Sequence, residues 1–251
     1  MNELTLTRTL TAAGCNAQME LPLQNLVRDI IDAATAHANL LGVGYDRLIA
    51  EGNAWVLSRL AIEMKRYPRV GEEYALTTWI EDFNRHFSAR NFEITGAGGE
   101  VIGYARSIWI AINIASRRPA DLTSIIDLAQ SISGRRCPME PQGKLRFDSG
   151  RESCSDYTVT VSDIDSNRHL TTARYVELAV NCADLELYDT SYPARFETAF
   201  TKECLYGEAL RVCYYFDDED DCGGRTLNVR IQGGEGADSC ACRIRFDKRA
   251  S

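Results

Sequence analysis

Residues 194–216 read ARFETAFTKECLYGEALRVCYYF, and residues 55–80 read WVLSRLAIEMKRYPRVGEEYALTTWI. Each begins with alternating apolar and polar residues, passes a polar turn ending in Gly-Glu, and resumes the alternation. A period of two sends successive side chains to opposite faces of an extended chain, so each stretch reads as two antiparallel strands joined near Gly71 or Gly207. Working outward, the next turn is shared as well. The Gly-Gly-Glu around Gly99 in SARNFEITGAGGEVIGYARSIWIAIN (88–113) has its counterpart around Gly234 in RTLNVRIQGGEGADSCACRIRF (225–246). Upstream of each stretch lies a segment of helical period. The first runs from Leu23 to about Leu41, with Leu26, Val27, Ile30, Ile31, Ala34 and Ala38 on one face and Gly42 and Gly44 to end it. The second runs from about Thr172 to Leu187, after a strand YTVTV at 157–161. Two copies of one α+β unit are therefore expected, each a long helix against a curled antiparallel sheet.

Between the copies, residues 116–150 contain three of the six prolines together with several Gly and Ser. Proline cannot donate to a sheet, so this segment reads as a linker with one short helix around Ile125 to Ile132. The expected division is a first unit over 1–124, a linker over 125–150 and a second unit over 151–251.

With 251 residues, 45% hydrophobic and 25% charged, the chain is long enough for a large core and a sizeable pocket. A formal charge of −8 and a pI near 5.0 argue against nucleic acid as a partner, because phosphate binding draws on a basic surface. No basic, apolar and small-residue leader opens the sequence, and no apolar run approaches the roughly 18 residues of a membrane span. A cytoplasmic protein is expected. The nine cysteines are odd in number and are expected to be reduced core thiols. Cys240 and Cys242 would share one face of a strand, without the CxxC hairpin that grips zinc. Neither a metal nor a cofactor is expected.

The segment DIDSNRHLTTARYVELA (163–179) carries the chemistry. Its first five residues imitate a calcium loop, but the imitation stops there. Position 6, where the loop needs glycine, is Arg168, and position 12, where it needs a bidentate Glu, is Arg174. In an extended segment the alternating Asp165, Asn167 and His169 would project to one face and converge. A helix begins just after, with Thr171 or Thr172 as its cap, and the amides of its first turn suit an oxygen gaining negative charge. On periodicity alone Asp163, Asp165 and Asn167 suit turn and cap roles, in which their side chains bond local amides, better than catalytic ones. His37 lies inside a helix and reads as a packed or surface residue, His86 falls in a loop, and FDDEDD (216–221) reads as a solvated hairpin end.

Three blocks in register carry a family resemblance: WVLSRLAIEMKRYPRVGE, ARSIWIAINIASRR and DIDSNRHLTTARYVE. The chain resembles the acyl-acyl carrier protein (acyl-ACP) thioesterases, over about Leu23 to Phe246. The resemblance implies a double hotdog fold, hydrolysis of fatty acyl-ACP thioesters, the bacterial, cytoplasmic version of the enzyme, and a catalytic set of Asp165, Asn167, His169 and Glu203. Either His169 or Glu203 would be the base, with Asn167 orienting water or stabilising the oxyanion and Asp165 orienting its neighbours. Cys204 offers an alternative nucleophile, although adjacent strand residues face opposite sides and Glu203 and Cys204 would not both reach His169. The first-unit stretch matching the cluster, CNAQMEL (15–21), lacks Asp-x-Asn-x-His, and Tyr67 matches Glu203, so one site per chain is expected. The acyl chain is expected in the first unit, near Trp55, Leu57, Leu60, Ile62 and Met64. The basic pairs Arg117 with Arg118 and Arg135 with Arg136 suit an acidic carrier protein or the phosphates of coenzyme A alike. Acyl-CoA hydrolysis and noncatalytic acyl binding are the rival functions, and a homodimer of the chain stays open.

Overall fold

Helical periodicity at Leu26, Val27, Ile30 and Ala34 becomes α1 (Leu23–Leu40) in the computed structural model of the chain, which describes residues 2–84, 86–120, 131–219 and 223–249. The apolar face of α1 is the buried one, and the chain leaves the helix through Gly42 at φ 71, a left-handed conformation that glycine adopts without a Cβ clash. A short α2 (Tyr45–Ala50) follows. The period-two segments of the first half become β1 (Glu3–Thr9), β2 (Asn53–Met64), β3 (Glu73–Phe83), β4 (Phe87–Thr95) and β5 (Val101–Asn113). The second half supplies β6 (Ser153–Thr158), α3 (Thr172–Val180), α4 (Leu185–Thr190), β7 (Ser191–Phe200), β8 (Ala209–Phe216), β9 (Arg225–Gln232) and β10 (Asp238–Lys248).

All ten strands form one antiparallel sheet in the order β1-β3-β4-β5-β2-β7-β10-β9-β8-β6. The order of the second half is the mirror of the first, and the two meet at β2 and β7. There Ala61 faces Glu197, 136 positions later (197 − 61), the same offset that relates Gly71 to Gly207 (207 − 71). A local two-fold axis thus passes between β2 and β7. Pairing these strands covers the edges that two separate sheets would leave with open N–H and C=O groups.

The helices α1 and α3 pack against each other on one side of the sheet, and Leu26, Val27 and Ile30 share a single core with Val176, Ala179, Phe196 and Phe246. Residues 131–150 run across the other side. Trp79 Nε1 donates to the Arg135 carbonyl (2.8 Å), Arg106 to that of Met139 (3.1 Å) and Gln142 to that of Thr198 (3.1 Å), while the Asp148 N–H reaches the Tyr215 hydroxyl (3.1 Å). The connection between the halves therefore serves as a back cover, crossing from β3 to β8. Among the described residues no helix is long and apolar enough to cross a membrane.

Several expectations need correction. The helix expected from Thr172 to Leu187 breaks at Val180, because the Asp184 carboxylate accepts the Leu187 N–H (2.8 Å) and caps a new helix. The strand expected over 157–161 stops at Thr158, where Asp163 draws the chain into a 3-10 turn by accepting from the Thr160 N–H (2.7 Å). The cysteines are not all reduced: Cys154 and Cys213 form a disulfide. They lie directly opposite one another on β6 and β8, a register that no local pattern announces across a separation of 59 residues. Cys240 and Cys242 do share one buried face, with their sulfurs 3.6 Å apart. The expected helix over 125–132, the boundary at 124/125 and the end of FDDEDD fall wholly or largely outside the described residues.

Candidate active site

The segment from Asp165 to His169 is a closed turn instead of the extended run its alternation suggests. The Asp165 N–H donates to the His169 carbonyl (2.9 Å), and the Arg168 N–H donates to that of Asp165 (3.0 Å). Arg168 takes φ 66 to let the chain reverse. Inside the turn, Asp165 Oδ1 accepts the backbone N–H groups of Asn167 (2.8 Å) and His169 (3.0 Å). The turn role and the site role of this aspartate therefore coincide, since its carboxylate shapes the loop that presents Asp165, Asn167 and His169 to one cavity.

Two neighbours fix the loop from behind. Asp163, fully buried, accepts from Tyr157 Oη (2.6 Å) and Thr160 Oγ1 (2.8 Å) and pairs with Arg174 Nε (2.7 Å). Burial alone would push this carboxyl up, but these bonds together hold it below the usual aspartate range. Arg174, the residue that excluded calcium, is thus Asp163's counter-ion. Thr171 caps α3 by accepting the Arg174 N–H (3.2 Å).

Glu203 arrives from the loop after β7. That loop is tied to the cluster by the Leu170 N–H bond to the Cys204 carbonyl (2.9 Å) and by a backbone bridge between His169 and Leu205. His169 Nε2 stands 3.5 Å from Glu203 Oε2, and the same carboxylate oxygen is in contact with Arg117 Nη2. Burial lowers the His169 pKa; the Asp165 carboxylate opposes that shift and the Arg117 guanidinium adds to it, so the imidazole is neutral and able to accept a proton at pH 7. Cys204 is fully buried in the core and is not among the residues that line the cavity. Cys204→Ala is accordingly expected to leave kcat within about threefold. Loss of turnover, with an acyl-enzyme accumulating in the parent protein, would make the thiol the nucleophile instead.

The cavity measures about 1010 Å³. Its polar end is made by the cluster and Glu203, whereas most of its apolar wall comes from α1, α2 and the first-half strands, Leu48, Trp55, Leu57, Ile80 and Trp109 among them. Of the five residues expected there, Trp55 and Leu57 line it. Leu60, Ile62 and Met64 lie instead in the main core, past a bulge between Leu57 and Arg59 that shifts the register of β2 against β5. His37 is packed, fully buried on α1, and His86 is exposed.

The basic pairs do not act as one patch. Arg117 lines the cavity and contacts Glu203, a placement that 86 residues of separation hid from the sequence. Arg135 stacks over Trp79 at 4.2 Å and pairs with Glu3 and Glu93. Trp79 and the cavity residue Ile80 are neighbours on one strand and face opposite sides of the sheet, so Arg117 and Arg135 do as well. Arg118 and Arg136 are exposed.

The first half contains the same loop without the chemistry. Asn16 Oδ1 accepts the N–H groups of Gln18 (3.1 Å) and Glu20 (2.9 Å), the Asn16 N–H donates to the Glu20 carbonyl (2.9 Å), and Met19 takes φ 61. Asn16, Gln18 and Glu20 thus occupy the places of Asp165, Asn167 and His169, with Tyr67 in that of Glu203. Glu20 is held by Arg249 through two bonds of 2.7 and 2.8 Å, and the Tyr67 hydroxyl by the Pro193 carbonyl (2.9 Å). Sequence matching finds the stretch, but only the backbone bonds reveal that the turn itself is retained.

The profile of the acyl-ACP thioesterase N-terminal domain matches residues 9–128, and that of the C-terminal domain matches residues 147–248. The structure is similar to that of an acyl-ACP thioesterase from Bacteroides thetaiotaomicron, with a TM-score of 0.88 and 30% identity over 98% of each chain. It is similar in fold to the 12:0-ACP thioesterase from Umbellularia californica, with a TM-score of 0.86 at 16% identity over 98% of this chain and 94% of that one. In sequence it is 24% identical over 193 residues to the chloroplastic acyl-[acyl-carrier-protein] hydrolase FATB3 of Cuphea viscosissima, covering 72% of this chain and 46% of the relative. The chain spans about half the length of the plant relatives it matches. Both halves carry the profiles of one family, in that family's order and on its double hotdog fold, and the protein belongs to the acyl-ACP thioesterases.

Proposed function

We propose that the protein hydrolyses the thioester of fatty acyl-ACP and releases the free acid. The observation that carries this reading is the approach of His169 to Glu203 at the polar end of a large apolar cavity. A thioester needs a base for water at its carbonyl and an apolar channel for its chain, and both are present side by side. Water gives a proton to the His169 and Glu203 pair as its oxygen bonds to the carbonyl carbon. The carbon–sulfur bond then breaks, and the departing sulfur takes a proton back from the pair. In this reading Asn167 and the amides of the first turn of α3 donate to the tetrahedral oxyanion. Arg117 orients Glu203. In this reading the first half holds the acyl chain and the second performs the chemistry.

The reading is tested with acyl-ACP and acyl-CoA substrates matched in chain length. A kcat/KM higher for acyl-ACP is expected. A preference for CoA thioesters would make acyl-CoA the substrate instead, and binding without turnover of either would make the protein a noncatalytic acyl-binding one.

A carrier protein is acidic and this chain is itself at −8, so productive encounter requires a local positive surface. Arg118, exposed next to the cavity residue Arg117, fits that need. Arg118→Glu is expected to raise KM for acyl-ACP about tenfold and to change KM for a short synthetic thioester far less. Equal effects on the two substrates would remove Arg118 from the docking surface.

A further inference from the structure

Beside the exposed Lys202, the cavity wall contains a buried cation that the proposed chemistry does not use. Arg90, on β4, lines the cavity with only 5% of its surface exposed. Its Nη1 lies 2.7 Å from His37 Nδ1 and 3.2 Å from Thr78 Oγ1. A guanidinium can only donate, so His37 Nδ1 accepts and the imidazole is neutral at that nitrogen. Thr78 is neutral as well. Among the described residues no carboxylate forms an ion pair with Arg90, in contrast to Arg66, Arg135, Arg195 and Arg249, each of which has one. Burial without a counter-ion draws its pKa down to about 10, which still leaves the group charged at neutral pH.

The fold does not require a cation there. Arg90 pairs with Ile80 across β3 and β4, and the equivalent pair in the second half is Leu227 with Phe216, since 80 plus 136 is 216. Leu227 is fully buried in the main core. The same place in the sheet is therefore filled once by a leucine in a packed core and once by an arginine in the wall of a cavity. A buried charge without a counter-ion is costly to fold around. Its two neutral partners engage Nη1 alone, and the Nε and Nη2 donors remain for whatever fills the cavity. A plain methyl-ended chain reaching this wall would cover those donors and bond to none of them. Ser88, two residues earlier on β4 and also in the wall, adds a second polar group to the same patch.

We infer that Arg90 forms a polar subsite within the acyl cavity that receives an acceptor oxygen carried on the acyl chain, so that the substrates include chains oxygenated away from the thioester. A carboxylate complements the guanidinium in charge and a hydroxyl does so by hydrogen bonding, and both offer an acceptor to the Nε and Nη2 donors. This inference rests on the cavity being the acyl site.

The test compares plain, ω-hydroxy and ω-carboxy acyl thioesters of matched lengths, with kcat/KM measured for the parent protein, Arg90→Leu and Arg90→Lys. At the length that brings the oxygen to Arg90, the ratio of oxygenated to plain substrate is expected to fall at least about tenfold in Arg90→Leu and to be partly retained in Arg90→Lys, whichever oxygenated series responds. An unchanged ratio overturns the subsite. So does a variant that merely accepts longer plain chains, for then the guanidinium is a steric stop. Calorimetric binding of free ω-hydroxy and plain fatty acids to the parent protein needs no variant and no turnover. Equal affinities at every length overturn the subsite even if the thioesterase reading stands, whereas failure of every thioester to react overturns that reading and leaves the binding comparison to decide the subsite.

Discussion

Glu203→Ala and His169→Ala are each expected to lower kcat by about 10²–10⁴ while the melting temperature changes little. Both side chains end in the cavity, with His169 Nε2 3.5 Å from Glu203 Oε2, and neither is part of the packed core. The double variant is expected to be little worse than either single one, because the two act on one water and their effects are not independent. Single-turnover rates with acyl-ACP check this. Additive losses would separate the two residues into different steps. A variant that keeps more than about a tenth of the parent rate would remove that residue from the proton transfer. Arg117→Ala belongs to the same series as a positioning change. It frees Glu203 and removes a cation that lowers the His169 pKa, so the acidic limb of kcat/KM should move to higher pH.

Asp165→Ala is expected to cost about a hundredfold or more in kcat, and Asp165→Asn at least about tenfold less than that. The contrast follows from the first half of the chain. Asn16 stands at the equivalent place and its Oδ1 makes the same two backbone bonds, so an asparagine is sufficient to shape this turn. Alanine offers no acceptor, and two backbone N–H groups would lose their partner while the loop loses its aim. The pH profile separates geometry from charge. The Asp165 carboxylate raises the His169 pKa against the lowering effect of burial. In Asp165→Asn that support is gone, the His169 pKa falls further, and the neutral base persists to lower pH. The acidic limb should therefore move down in Asp165→Asn and up in Arg117→Ala. If Asp165→Asn were as damaging as Asp165→Ala, the charge of Asp165 and not its turn would be the contribution to catalysis.

The repeat was legible because periodicity is a local property. Alternation at 55–80 and 194–216, helical spacing at 23–41 and the Gly-Glu turns each depend on residues a few positions apart, and together they determined two α+β units in the right order. The helix ends were equally local, at Gly42 and at the Thr171 cap. The cluster at 163–179 was recognisable as a site, and its residue types excluded calcium without any coordinates. Its shape was not recognisable, because the alternation of Asp165, Asn167 and His169 suits an extended run as well as the turn that Asp165 Oδ1 closes on the amides of Asn167 and His169. Tertiary structure alone decided the pairing of β2 with β7 that makes one sheet of two, the passage of residues 131–150 across its back, the disulfide between Cys154 and Cys213, and the placement of Arg117 on Glu203 and of Arg90 in the cavity wall. The physical reason is common to all of them. Each joins segments that are far apart in sequence and whose own preferences are already satisfied locally, so the choice of partner is made only when burial and sheet pairing of the whole chain bring them together.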